Sequence, residues 1–255
     1  MSRTKIAREM GYRGTLLLIS PEHALLRTPE QGELTAAEKA GSAVLLTHAA
    51  ARMLQRALAD VGAGRRITAV SGYRPHQEQI QIWEETMRRE GEAFTRKYVA
   101  KPGHSEHECG LAVDLAEYRE KIDFICPEFP RSGVCGRFRQ AAPYRGFVER
   151  YPAGKENVTG IGAEPWHFRY VGYPHSVIMT RGGLVLEEYL DFLKEETAPD
   201  RPYSYCEGKI RIDICYLSLD EWEGRELEWP DDAPALLSGT NEGGLVWTRW
   251  RRRYA

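Results

Sequence analysis

The chain has 255 residues, with 35 basic and 37 acidic side chains and a formal net charge of −2. That length suits one domain, or one domain with a small addition, and the balanced charge gives no reason to expect a nucleic-acid or membrane partner. Five cysteines, scattered and without a CxxC pair, argue against a disulfide framework and for a reducing compartment. The N-terminal residues include basic side chains but no long apolar core. Thr15-Leu-Leu-Leu-Ile-Ser20 is too short for a signal segment and is halted by Pro21. No stretch is long enough to span a bilayer. The expectation is a cytoplasmic protein without a membrane anchor.

In chain order, residues 14–20 read as a first strand and 21–32 as a loop. From about 35 to 60 the pattern is helical, with Val44, Leu45, Ala49, Met53, Leu54 and Leu58 on one stripe, and Gly62 and Gly64 end it. Residues 67–70 form a short strand that delivers Ser71-Gly-Tyr-Arg74. Pro75 then opens a helix over 76–90 with Ile80, Trp83 and Met87 on its buried face. Residues 91–106 read as loop, 121–134 as loop, 135–144 as a short helix and 146–151 as a strand. Helical pieces follow at 176–180 and 184–196, the latter with Leu186, Tyr189, Leu190 and Leu193 as its stripe. The order predicts an α+β fold, a mainly antiparallel sheet with flanking helices. Thr197-Ala-Pro-Asp-Arg-Pro202 marks a boundary between a domain at 1–196 and a small β extension at 197–255 docked on it. In that extension residues 210–217 and 244–250 alternate as strands.

Two distant segments carry the chemistry. In Gly110-Leu-Ala-Val-Asp-Leu-Ala-Glu117, Leu111, Val113 and Leu115 alternate with Ala112, Asp114 and Ala116. Asp114 thus faces away from the large aliphatics, and a carboxylate in so apolar a strand needs a partner or a metal. His107 lies just upstream, and Gly110 can turn the chain so that the two converge. Trp166-His-Phe-Arg-Tyr-Val171 is a second strand, with His167 opposite Trp166 and Phe168; Pro165 argues against a helix. Glu164 sits at its mouth. Two imidazoles, a carboxylate and a free glutamate are what a catalytic zinc site uses.

Ser105-Glu-His-x-x-Gly-x-Ala-x-Asp114, Glu164-x-Trp-His-x-Arg-Tyr-Val-Gly172 and Ser71-Gly-Tyr-Arg74 with Gln79 resemble the signature segments of the zinc D-alanyl-D-alanine peptidases. These are the VanX, VanY and bifunctional VanXY enzymes, akin in fold to the hedgehog and lysostaphin zinc domains. The resemblance runs over roughly residues 14–196. It is nearest the bifunctional type, which Ile125-Cys-Pro, Arg150-Tyr-Pro and Pro174-His-Ser also resemble. It implies one Zn2+ per chain held by His107, Asp114 and His167, with Glu164 as general base and Arg74 stabilising the oxyanion. It also implies substrate contacts from Ser105, Gln79 and Tyr73, Ser105 meeting the substrate's terminal carboxylate. Trp166 reads equally as a pocket wall or a core aromatic.

Other residues take blander readings. His23, His48, His76 and His175 read as structural or surface histidines, and His104 as a loop side chain rather than a fourth ligand. Glu106 and Glu108 alternate away from His107 and at most support the ligands. Cys109 reads as inert, and the tail Trp250-Arg-Arg-Arg253 as a solvated basic run. The implied partner is a small peptide, D-Ala-D-Ala or the wall-precursor pentapeptide. The rival readings are an L,D-carboxypeptidase acting on tetrapeptides and a zinc peptide-binding module without turnover.

Overall fold

The computed structural model describes residues 1–38 and 43–252. In chain order its strands are β1 (Ser2–Lys5), β2 (Leu34–Ala36), β3 (Leu45–Thr47), β4 (Ile67–Ser71), β5 (Ala112–Glu117), β6 (Phe147–Tyr151), β7 (Glu164–Tyr170), β8 (Tyr203–Glu207), β9 (Ile210–Ser218), β10 (Glu226–Trp229), β11 (Ala235–Gly239) and β12 (Gly244–Arg252). The helices are α1 (His48–Asp60), α2 (His76–Glu90), α3 (Glu92–Tyr98), α4 (Gly133–Ala141), α5 (Glu156–Thr159), α6 (His175–Gly182), α7 (Leu186–Glu196) and α8 (Leu219–Trp222), with a 3-10 turn at Glu106–Cys109. The fold is α+β, and its paired strands run antiparallel, as expected. Two compact units divide the chain: Ile19–Val185, and Met1–Leu18 with Leu186–Ala255.

The unit Ile19–Val185 is built on a four-stranded sheet in the order β4-β5-β7-β6. Alternation along β5 sends Val113 and Leu115 into a core that also takes Leu54 of α1, Phe138 of α4, Phe147 of β6 and Phe168 of β7. Phe129, Phe138 and Phe168 meet edge to face there, with ring centroids 5.1 to 5.8 Å apart. Ala50, Leu54 and Ala57 recur at helical spacing on the buried stripe of α1. The opposite face of the sheet is left for Ala112, Asp114 and Ala116.

Three expected elements differ. The helix expected from about residue 35 begins at His48, and before it lies the β2–β3 hairpin, with Leu34 opposite Thr47 and Thr35 opposite Leu46. A short apolar run such as Val44-Leu-Leu46 satisfies either period. Residues 39–42 of that expected helix lie outside the described residues. The loop expected at 91–106 contains α3, whose seven residues are too few for a helical period to stand out. Residues 14–20 do not form a strand. Leu16 N–H donates to Ser238 Oγ and Leu18 N–H to the Thr240 carbonyl, single bonds in place of a ladder.

In the second unit β11, β12, β9 and β8 form one antiparallel sheet and β1 pairs with β10. Ile6, Leu217, Leu227, Leu245 and Trp247 make its core. The expected boundary at residue 196 moves to Val185/Leu186, and the first 18 residues join this unit. The proline-rich break after α7 was the legible signal, but α7 packs on β9, and Thr197 Oγ1 at its end accepts from Tyr216 N–H at 2.9 Å.

Candidate metal centre and active site

Register explains why residues 53 positions apart meet. Ser71 of β4 pairs with Asp114 of β5, and Asp114 with His167 of β7. The three side chains therefore form one cross-strand row on the face away from the core. His107 arrives from the 3-10 turn, which Ser105 caps by accepting from His107 N–H through its Oγ. Gly110 then reverses the chain in the left-handed region, φ 68°, as its expected turn requires.

The two carboxylate oxygens of Asp114 face one imidazole each: Oδ1 is 2.9 Å from His167 Nδ1 and Oδ2 is 3.1 Å from His107 Nε2. The other nitrogen of His107 lies 2.7 Å from the Gly72 carbonyl oxygen. The rings stand nearly perpendicular, 83°, with centroids 4.9 Å apart. All three residues are buried, and one donor atom from each lies within 4.8 Å of the others. Two imidazole nitrogens and a carboxylate oxygen converging in a buried cluster fit a zinc-type cation.

Glu164 Oε2 lies 3.7 Å from His167 Nδ1. Burial pushes its carboxyl up to about 8, with His167 opposing and Asp114 adding to the rise. Burial alone would lower His167, but its hydrogen bonds to Asp114 and Glu106 prevail and lift it to about 10. His107 is held below its ordinary value by burial, against the pull of Asp114. Asp114 itself is kept well below the usual carboxylate range, because the two imidazoles outweigh its burial.

Arg74 enters from the end of β4 and is buried. Its Nη1 donates to Gln79 Oε1 at 2.7 Å and its Nη2 to Ser71 Oγ at 2.9 Å, while Nε–H is buried with no partner among the described residues. Ser105, Arg74, Trp166 and Glu164 line one pocket with the metal-type cluster. Trp166 is both wall and core, since it also belongs to the hydrophobic cluster under the sheet.

Gln79 does not line that pocket. It is fully buried, and its Nε2 donates to the Ala100 carbonyl while its Oε1 holds Arg74. Both polar ends are hydrogen-bonded inside the protein, and the Oε1 end grips Arg74. Tyr73 is also absent from the lining, and its N–H donates to the Leu45 carbonyl. Cys109 Sγ donates to the Glu106 carbonyl, away from the ligand cluster, and His104 Nδ1 lies 2.8 Å from the Ser20 carbonyl oxygen.

Sequence reasoning had Glu106 at the end of a loop, alternating away from His107 and at most supporting the ligands. The 3-10 turn instead brings its carboxylate to the back of His167, Oε2 lying 3.4 Å from Nε2. Arg150 and Arg169 hold Oε1 at 2.8 and 2.6 Å. Against the upward push of complete burial, Arg169 and Arg150 keep this carboxyl well below the usual range. The signal for this group was charge on otherwise apolar strands, since both arginines stand in quoted motifs.

Residues 44–173 match the family VanY, D-alanyl-D-alanine carboxypeptidase. The chain belongs to the VanY family. It is 41% identical over 182 residues to the bifunctional D-Ala-D-Ala dipeptidase and D-Ala-D-Ala carboxypeptidase VanXYC of Enterococcus gallinarum, covering 71% of this chain and 96% of that one. Its structure is similar to that of the vancomycin resistance D,D-dipeptidase VanXYg in complex with a D-Ala-D-Ala phosphinate analog, with a TM-score of 0.94, 41% identity and coverage of 98% and 99%. It is also similar to the VanY D,D-pentapeptidase of a VanB-type resistance cassette in complex with Zn(II), with a TM-score of 0.57, 28% identity and coverage of 69% and 98%. All the expected site residues of this VanY-family chain fall inside the matched span.

Proposed function

We infer that this protein is a zinc D,D-peptidase that hydrolyses D-Ala-D-Ala and removes the terminal D-Ala of wall-precursor pentapeptide. The observation that carries the reading is the convergence of His107, Asp114 and His167 with Glu164 and Arg74 in one buried pocket. The family membership and the VanXY likeness support the substrate class. Hydrolysis of this kind withdraws the D-Ala-D-Ala terminus that glycopeptide antibiotics bind.

His107, Asp114 and His167 would hold one zinc ion, which when bound polarises the scissile carbonyl and eases deprotonation of the attacking water. Glu164 takes that proton and passes it to the leaving amine. Buried beside His167, it is a stronger proton acceptor than an exposed glutamate, and a neighbouring cation draws its carboxyl back toward the ionised form. Arg74 is held by Gln79 and Ser71 and keeps a buried Nε–H with no partner among the described residues, a donor that would serve the oxygen where negative charge builds. Ser105 meets the substrate's terminal carboxylate and Trp166 walls the pocket. Among the described residues no helix is long and apolar enough to cross a membrane. The five free thiols support action in the reducing cytoplasm.

The test is D-alanine release by the zinc-loaded protein from D-Ala-D-Ala and from pentapeptide, with and without chelator. Release abolished by the chelator is expected. Glu164→Ala should keep its zinc and lose roughly 10²- to 10⁴-fold in turnover; unchanged turnover would overturn the assigned base. Inertness toward both substrates with cleavage of a tetrapeptide would move the protein to the L,D-carboxypeptidases.

A further inference from the structure

Behind the ligand cluster lies a charged group that the reaction as described does not use. Glu106, Arg150 and Arg169 have side chains with no exposure at all. Such a group is costly to bury unless every charge is paired, and three separate segments contribute to it: the 3-10 turn, β6 and β7. The pairing of β6 with β7 shifts register between Glu149 and Tyr151, at the position of Arg150, and irregularities of this kind re-aim side chains. Arg169 stands two residues after His167 on the same strand. Both arginines reach Oε1 of Glu106, and Oε2 lies 3.4 Å from His167 Nε2.

We propose that Glu106, clamped by Arg150 and Arg169, is a positioning residue that accepts the Nε2–H of His167 and so presents the Nδ1 lone pair to the metal. The inference rests on the zinc reading above but not on the substrate. An imidazole carries its proton on the nitrogen whose neighbour accepts it, and a carboxylate behind a metal-bound ring fixes both ring angle and proton position. The geometry separates the two faces of the ring. Nδ1 points at Asp114 Oδ1, 2.9 Å away, on the side where His107 Nε2 also converges. Nε2 points at the clamped carboxylate. Two guanidiniums on Oε1 anchor the carboxylate from two strands, so the acceptor cannot swing away from the ring.

The experiment uses the full chain and zinc or cobalt alone. In the zinc-loaded parent, nitrogen NMR of the histidine rings should show His167 protonated at Nε2 and metal-bound at Nδ1; a metal-bound Nε2 would overturn the proposal. Glu106→Gln weakens the acceptor, and Glu106→Asp withdraws it from the ring while leaving the arginines a counter-charge. Each variant, held at a temperature where circular dichroism shows it folded, should bind zinc roughly 10- to 100-fold more weakly in chelator competition. The visible bands of the cobalt-substituted protein should shift as well. If Glu106→Gln does not fold, Glu106→Asp and the parent spectrum decide. Parent-like zinc affinity and cobalt bands in a folded variant would reduce the triad to a structural ion cluster. A parent that binds no zinc would sink the metal reading instead, and a zinc-binding parent inert to D-Ala-D-Ala would sink only the substrate.

Discussion

Asp114 touches both imidazoles, so proton and metal compete for the same few atoms. His167 is raised to about 10, so at pH 7 it is protonated before metal arrives, and a cation taking Nδ1 must displace a proton. Zinc binding at pH 7 should therefore release at least about one proton per ion, and its apparent affinity should rise from pH 6 to pH 8. Calorimetry in buffers of different ionisation heat measures this, and binding with no proton release would contradict the assignment. Arg74 and Gln79 separate in the same way. Arg74→Ala should cost roughly 10²- to 10³-fold in kcat. Gln79→Ala, which only frees the guanidinium to move, should cost less, with kcat reduced and KM nearly unchanged. A rise in KM alone would restore Gln79 to the substrate. At this scale the cluster of His107, Asp114 and His167, with Glu164 beside it, was legible because its motifs carry those residues. Gln79 and Glu106 were not, because which way a polar side chain turns depends on neighbours distant in sequence.

The strands decide convergence. The row Ser71, Asp114, His167 exists because β4, β5 and β7 are neighbours in that register, and a slip of one residue would send Asp114 into the aliphatic core. Gly110 governs the approach of His107: a methyl there would meet Leu34 Cδ2 at 3.0 Å and Thr47 Cγ2 at 3.4 Å, in a left-handed conformation. Gly110→Ala should therefore lower stability by about 1–2 kcal/mol and weaken zinc binding, since the residue joins two ligand segments. Thermal unfolding and chelator competition read both effects, and a parent-like zinc affinity would show that the turn does not set the ligand spacing. The period-two pattern made β5 and β7 legible. The β2–β3 hairpin and α3 were too short for any period to declare itself.

Over the whole molecule, every expected site residue belongs to Ile19–Val185, while the second unit has its own core around Leu245 and Trp247. Leu245→Ala should cost about 2–5 kcal/mol of stability yet leave zinc affinity within twofold at temperatures where the protein is folded. A large loss of zinc affinity in a folded variant would tie that core to the site. The amino-acid sequence by itself determined the α+β class, the antiparallel strands that bear Asp114 and His167, and the family. Those follow from alternation and from motif chemistry, which are local properties of the chain. Only the tertiary structure decided the limits of the two units, the commitment of Gln79 to Arg74, and the burial of Glu106 between two arginines behind His167. Each of these depends on which segments pack together, and neither side-chain direction nor long-range charge pairing leaves a periodic trace in the order of the residues.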